Sequence, residues 1–380
     1  MDINAPWVRS LFTALPGVRE GQRRVVGWHV HSLGYWFSSR QARAKPQPAP
    51  DIRGPTESKA LVPGWTRFER LSTWLLSRRL RRTTHRLGRP EAIVYTLPQY
   101  AGVAEAFPDA FQVYYAYDGY RFYGGWNAEQ IDALEKRILG SCDVAFAISH
   151  QLAEDLRQKT QTPVFYSPNA VSESFVSALA GPPAEKPPEL QGLAGKIVGC
   201  VGQISGAGYD WPLIEALADA VPEANFVFIG PLLEGLRGSQ AEVGRVFQKP
   251  NVRWLGPRPH SDLPKYISAF DVCFGPYQVN AIKNRSSPLR MYDYLCTNKP
   301  VLFTPIHEVC EHREFLEVGA TAEECARLIR KTLSPEYRVD SRARRRFIQD
   351  NTWEKRAAIL WQRICEANSQ TVNSDFMTRR

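Results

Sequence analysis

Short apolar runs alternate with helical stretches in one half of the chain and then again in the other. This order restricts the fold more than any other feature, because it builds parallel sheets with helices wound on both faces. In the first half, 92–96 (AIVYT), 112–117 (QVYYAY) and 144–148 (VAFAI) read as buried strands, and 128–139 as the helix between the last two. In the second half, 196–202, 225–230, 252–255, 272–275 and 300–304 read as five strands of one parallel sheet with helices in the gaps. Between the halves, Pro182, Pro183, Pro187 and Pro188 break any regular element, so 178–195 is expected to be a linker. The expected division is 1–177, the linker 178–195, 196–345, and a terminal helix over 346–370.

The start of the chain departs from this pattern. Such a sheet opens with a strand and a glycine turn, yet Pro6 is followed by helix-like 7–15. Either the domain lacks its first strand or the chain begins upstream of Met1. Residues 40–59 read as a polar, proline-containing loop.

A length of 380 residues and 43% hydrophobic content supply cores for two domains. No run approaches the roughly 18 apolar residues that span a bilayer, and 1–20 lacks the basic-then-apolar order of a signal peptide. A cytoplasmic protein is expected. Cysteines 142, 200, 273, 296, 310, 325 and 365 show no CxxC pairing and read as buried free thiols. The seven histidines are dispersed, and no metal constellation appears.

The net charge of +9 suits acidic lipid surfaces, phosphorylated substrates or nucleic acid. It is concentrated in 67–89, where Arg67, Arg70, Arg78, Arg79, Arg81, Arg82, Arg86 and Arg89 interleave with Phe68, Leu71, Trp74, Leu75 and Leu80. This spacing predicts a basic amphipathic helix. It is either an ordinary core-facing helix with a solvated outer face or a contact for an anionic membrane.

The segment 280–303 (NAIKNRSSPLRMYDYLCTNKPVLF) reads as loop, helix and strand. Ser287 is the expected N-cap and Pro288 the first helical residue. A diphosphate is favoured at such a terminus, beside Arg285, Ser286 and Arg290. Asp293 in the same helix offers a carboxylate to ribose hydroxyls. Its alternative is a well-capped helix with surface charge. The turn 199–208 (GCVGQISGAG), with Gly202 and Gln203, lets backbone approach a phosphate or sugar. It has neither GxGxxG nor GxxxxGK[ST] order, so a dinucleotide fingerprint and a P-loop are both unsupported.

From these residues onward the second half resembles, in order, the donor domain of the GT-B glycosyltransferases of glycosyltransferase family 4. The landmarks are 198–202, NFVFIGP at 225–231, NVRWLGPRPHSDLPKYISAFDVCFGPY at 251–277 and SPLRMYDYLCTNKPVLFTP at 287–305. The likeness is strongest to the teichuronic-acid and exopolysaccharide branch. In the first half YYAYDGY (114–120), CDVAFAISHQLAEDL (142–156) and SPNAVSESF (167–175) are similar to the acceptor domain. The resemblance covers about 92–369. It implies two doubly wound Rossmann-like domains facing across a cleft, with Trp353 in a helix that packs back across the hinge.

The resemblance further implies transfer of a sugar from a nucleotide diphosphate sugar to a lipid-linked or polysaccharide acceptor. That reaction would be retaining, would need no metal or cofactor, and would occur on the inner face of a membrane without nucleic acid as partner. Donor binding is expected at Gly202, Gln203, Arg285, Ser286, Ser287, Arg290 and Asp293. Asp118 is expected to orient or deprotonate the acceptor hydroxyl, and His150 to donate to donor or acceptor. Their alternatives are a turn residue at Asp118 and a plain helix start capped by Ser149. Glu308 and His307 follow the last strand, near the expected donor sugar. Departures from the family pattern are Asp293 for a glutamate, Arg285 for a second glutamate, Gln203 and Tyr209 where a basic pair is usual, and Ala170 for glycine. They leave open a catalytically impaired member that binds a nucleotide sugar or a partner protein. Another sugar-nucleotide enzyme, such as an epimerase, or a nucleic-acid-binding protein using the basic stretch, is the third reading.

Overall fold

The computed structural model describes residues 6–18, 25–32, 56–65, 67–181, 185–206, 208–232 and 240–378. The chain forms two compact units, Met1–Pro168 with Trp353–Arg380, and Asn169–Thr352.

The first unit opens on the helix Pro6–Thr13, which packs on the long helix Trp353–Thr378. Two strands then precede residue 93, against the expectation of a missing strand. They are β1 (Val26–Ser32) and β2 (Thr56–Val62), paired in parallel with Trp28 opposite Ser58. Thr56–Lys59, read as loop, is therefore strand; the rest of that expected loop, 40–55, lies outside the described residues. A separate parallel sheet runs β3 (Ile93–Tyr95), β4 (Gln112–Ala116), β5 (Val144–Ala147) and β6 (Val164–Tyr166) in sequential order. β4 and β5 are buried along their whole length, so neither alternates with polar residues, and Gln112 at the start of β4 is satisfied by Tyr95 and the Ser141 carbonyl.

In the second unit, β7 (Lys196–Val201), β8 (Ala224–Ile229), β9 (Val252–Trp254), β10 (Val272–Gly275), β11 (Val301–Phe303) and β12 (Glu317–Val318) pair in parallel. Their spatial order is β12-β11-β10-β7-β8-β9. Alternate residues of each strand enter two separate cores, Val198, Cys200, Phe226, Phe228, Val272 and Phe274 in one and Ile197, Val201, Val227, Ile229, Cys273 and Phe303 in the other. Both faces are thus covered by helices, as a parallel sheet requires. The order reverses between β7 and β10, and in open sheets of this kind ligands bind beyond the carboxyl ends of the strands at that point.

The unit boundary falls at Pro168/Asn169, ahead of the proline-rich stretch. Pro188–Gln191 is helical and Leu190 is wholly buried in the second unit's core, because proline starts a helical turn as readily as it ends one. The terminal helix starts at Trp353; residues 346–350 belong to the preceding helix Ser341–Asp350 of the second unit. Cys142, Cys200, Cys273 and Cys325 are buried thiols, whereas Cys296 and Cys310 are half-buried and Cys365 is exposed on the terminal helix.

Candidate functional site

The carboxyl end of β7 turns at Gly202, whose φ of +119° suits glycine. A Cβ there would stand 2.5 Å from Nη2 of Arg290. Arg290 lies in the first turn of the helix Leu289–Leu295. Its Nη1 donates to the Tyr209 hydroxyl at 2.7 Å and to Sγ of Cys200 at 3.2 Å. Its guanidinium carbon lies 5.2 Å from the ring centre of Tyr209 and 4.9 Å from that of Tyr277. The cation is therefore fixed in position by two tyrosines at the switch point of the sheet.

Burial works against the Arg290 charge, but the surrounding Tyr209, Tyr277 and Cys200 hold its pKa well above the ordinary value. Burial also keeps both phenols neutral, pushing Tyr277 up to about 12 and Tyr209 well above 10.0, even though Arg290 pulls each the other way. The rings therefore orient the guanidinium without cancelling it. Asp293, one turn further along and half-buried, is lifted to about 7 by burial, while Arg290 draws it down. At neutral pH this end of the sheet has a firm positive charge beside a carboxyl poised to titrate.

The other expected donor residues divide into two groups. Gln203 is exposed just beyond Gly202. Ser286 donates to the Lys283 carbonyl at 2.8 Å, and Arg285 Nη1 donates to the Ala281 carbonyl at 3.1 Å, so both stabilise the loop ahead of the helix. Ser287 is not the helix cap. Its Oγ accepts from the Asn169 amide at 3.2 Å and its carbonyl from Asn169 Nδ2 at 2.6 Å, deep in the protein. The N-cap position falls on Pro288, without a side-chain cap bond. A residue distant in sequence has taken the hydroxyl that a local cap would use.

Sequence reasoning missed Tyr294. Its hydroxyl accepts from the Val201 amide at 2.8 Å and donates to the Phe274 carbonyl at 3.4 Å, joining the ends of β7 and β10. An aromatic four residues after Arg290 was the available signal, but it reads equally as core packing. Glu308 is wholly buried and the His307 amide donates to Asn284 Oδ1 at 3.0 Å, Glu308 and His307 both lying in the short helix His307–Cys310 after β11.

In the first unit, Asp118 and His150 follow neighbouring strands, β4 and β5, whose ends are in register at Ala116 and Ala147. Asp118 accepts from its neighbour's amide, Gly119, at 3.1 Å and from the Tyr123 hydroxyl. Tyr123 stands 6.0 Å from Trp126, both rings exposed, and Trp126 stacks on buried Tyr120 at 5.8 Å. His150 is exposed and stacks on Tyr166 at 3.8 Å. It opens the helix His150–Arg157, which Ser149 caps by accepting from the Leu152 amide at 3.2 Å.

The basic stretch is the helix Glu69–Leu87. It buries Ser72, Leu76 and Ser77 and exposes Phe68, Leu71 and Trp74, with Arg78 over the Trp74 ring at 5.4 Å. Arg81 instead donates to the Ala106 carbonyl at 2.8 Å. Among the described residues no helix is long and apolar enough to cross a membrane, and no three metal-ligating side chains group together.

The glycosyl transferase-like family profile matches residues 211–362, which include Arg290 and Asp293. A curated Bacillus subtilis (strain 168) protein, "Putative teichuronic acid biosynthesis glycosyltransferase TuaH", is 26% identical over 177 residues, 46% of this chain. The match spans 43% of that relative's length, less than half of it. Among solved structures, Anabaena HepE in complex with UDP and glucose is 16% identical with a TM-score of 0.54, covering 85% of this chain and 86% of that one. The E. coli trehalose-6-phosphate protein bound with UDP-2-fluoro glucose is 12% identical with a TM-score of 0.67 over 96% of each chain. At such identities these likenesses speak for the fold alone, and they extend over most of the chain. The glycosyl transferase-like profile thus covers 211–362, and over both units the chain shares the GT-B fold of these structures.

Proposed function

We propose that this protein transfers a glycosyl group from a nucleoside diphosphate sugar to a lipid-linked or polysaccharide acceptor in cell-surface glycan synthesis. The observation that carries the reading is Arg290, held beside Gly202 at the sheet's switch point by phenols that stay neutral. A fixed cation in that position stabilises charge developing on a leaving diphosphate without reorganising during the reaction. Arg285, Ser286 and Gln203 shape the surrounding loops, Ser287 holds them to Asn169, and Asp293 is the carboxylate for the ribose. In the first unit Asp118 orients or deprotonates the acceptor hydroxyl, with Tyr123 and Trp126 as aromatic surfaces for the acceptor, and His150 is the neighbouring donor. The leaving diphosphate is neutralised by side chains with no metal or cofactor, and the anomeric configuration is retained. The reading extends to a cytoplasmic protein bound peripherally to an anionic membrane, supported by exposed Phe68, Leu71 and Trp74 beside the arginines.

The test is release of nucleotide from UDP-, GDP- and TDP-sugars with and without crude membrane lipid, with and without EDTA, and with anomer-resolved product analysis. Acceptor-dependent release from one donor, unchanged by EDTA, is expected; binding without turnover would establish the impaired alternative instead. Salt-sensitive sedimentation with anionic vesicles is expected for the membrane contact, and its absence at low salt would remove that part.

A further inference from the structure

Resting on that reading, we propose that Lys283 and Arg290, arranged around the shared ring of Tyr277, form a two-cation diphosphate clamp, so that Lys283 is a donor-binding residue. Tyr277 is nearly buried and well anchored. Thr304 Oγ1 donates to its carbonyl at 2.6 Å, and its backbone pairs with that of Tyr209. The Lys283 ammonium lies 4.9 Å from the ring centre, the same distance as the Arg290 guanidinium carbon. The two charges are therefore at most about 10 Å apart, within one screening length at ordinary ionic strength.

Each cation also lies against a glycine of the turn after β7. A Cβ on Gly202 would meet Arg290 Nη2 at 2.5 Å, and one on Gly208 would meet Ser205 Oγ first and then Lys283 Cε at 3.4 Å and Nζ at 3.6 Å. No side chain of those two residues separates the cations from a ligand laid along the turn. Lys283 is placed by the turn Lys283–Arg285, where its amide donates to Asn280 Oδ1 at 2.9 Å. Tyr277 remains a neutral phenol, so the ring attracts both cations by its π face and neutralises neither. Two like charges on one uncharged ring repel each other, and an anion with two charged centres relieves that repulsion where a single phosphate engages only one of them.

The experiment is calorimetric titration of the full chain with UDP, uridine, inorganic pyrophosphate and inorganic phosphate. Wild type, Lys283→Gln, Lys283→Arg and Arg290→Ala are compared, with unfolding midpoints confirming that each variant folds. Lys283→Gln is expected to weaken UDP and pyrophosphate about tenfold, leave uridine unchanged and flatten the salt dependence, with Lys283→Arg recovering most of the loss. UDP binding that Arg290→Ala weakens and Lys283→Gln does not would overturn the clamp and leave the transferase reading standing. Pyrophosphate binding that depends on Lys283, in a protein that binds no nucleoside diphosphate, would keep the clamp and defeat that reading. Uridine losses equal to those of UDP, phosphate bound as tightly as pyrophosphate, or no binding of UDP and pyrophosphate by wild type would each defeat the clamp.

Discussion

The carboxyl edges of the β3–β6 sheet and of the six-stranded sheet are made from the same parts: buried parallel strands, a short turn, and a helix starting beyond it. Their chemistry is opposite. Beyond β4 and β5 stand a carboxylate bonded to a phenol, two exposed aromatic rings and an exposed histidine. Beyond β7 and β10 the tyrosines turn inward and flank a guanidinium. The strands cannot account for the difference, since the carboxyl-terminal residues of β4, β5, β7 and β10 are all apolar or glycine. Tyrosine is the common material, serving an anionic partner on one edge and a cationic one on the other. The charge at each edge comes from beyond the strands, Asp118 from the turn after β4 and Arg290 from the helix Leu289–Leu295.

The most severe test of this contrast is Asp118→Asn. If the first edge handles only the acceptor, turnover should fall by about 10²–10⁴-fold with donor affinity unchanged. A parallel loss of donor affinity, or turnover equal to wild type, would break the division of labour. Arg290→Ala probes the other edge. It should weaken UDP by about 10–100-fold, the range of a charge-assisted bond to phosphate, and spare uridine. Equal losses for the two ligands would remove Arg290 from the phosphate.

Asp293 gives the smallest and most informative effect. Its carboxyl is lifted from 3.8 to about 7, so it contributes stability that is whole below the ordinary carboxylate range and is lost as pH rises through about 7. Between acid and pH 8 the wild type should lose on the order of 1–2 kcal/mol relative to Asp293→Asn in chemical denaturation, after allowance for partial exposure. Over the same interval affinity for a UDP-sugar, whose diphosphate does not titrate near neutrality, should rise in wild type and stay level in the variant. Identical pH profiles for the two proteins would show that Asp293 neither titrates there nor meets the ribose.

Much of this architecture was legible in the sequence because it is local. Strands β3, β4, β5, β7, β8, β9, β10 and β11 are built mainly on apolar residues, and the helix Leu289–Leu295 is announced by Ser287-Pro288. What escaped has a physical reason in each case. β1 (VGWHVHS) and β2 (TESKALV) mix polar residues into their pattern, β6 is a short run between Pro163 and Pro168, and β12 is only two residues long. Ser287 satisfies the local rule for a cap, yet Asn169, 118 residues earlier, claims its hydroxyl. Arg290 and Asp293 could be proposed from one short helix. The company they keep could not, because Tyr209, Tyr277 and Lys283 arrive from separate loops that only the folded sheet brings together.

The Tyr294 hydroxyl ties the last amide of β7 to a side chain of the helix that bears Arg290 and Asp293. That amide proton can reach solvent only when the phenol lets go, since its bond partner is not a neighbouring strand. Its hydrogen exchange therefore times the unseating of the helix from the sheet. Slower exchange at Val201 on adding UDP would make one backbone proton a native reporter of occupancy, read without any label on the ligand.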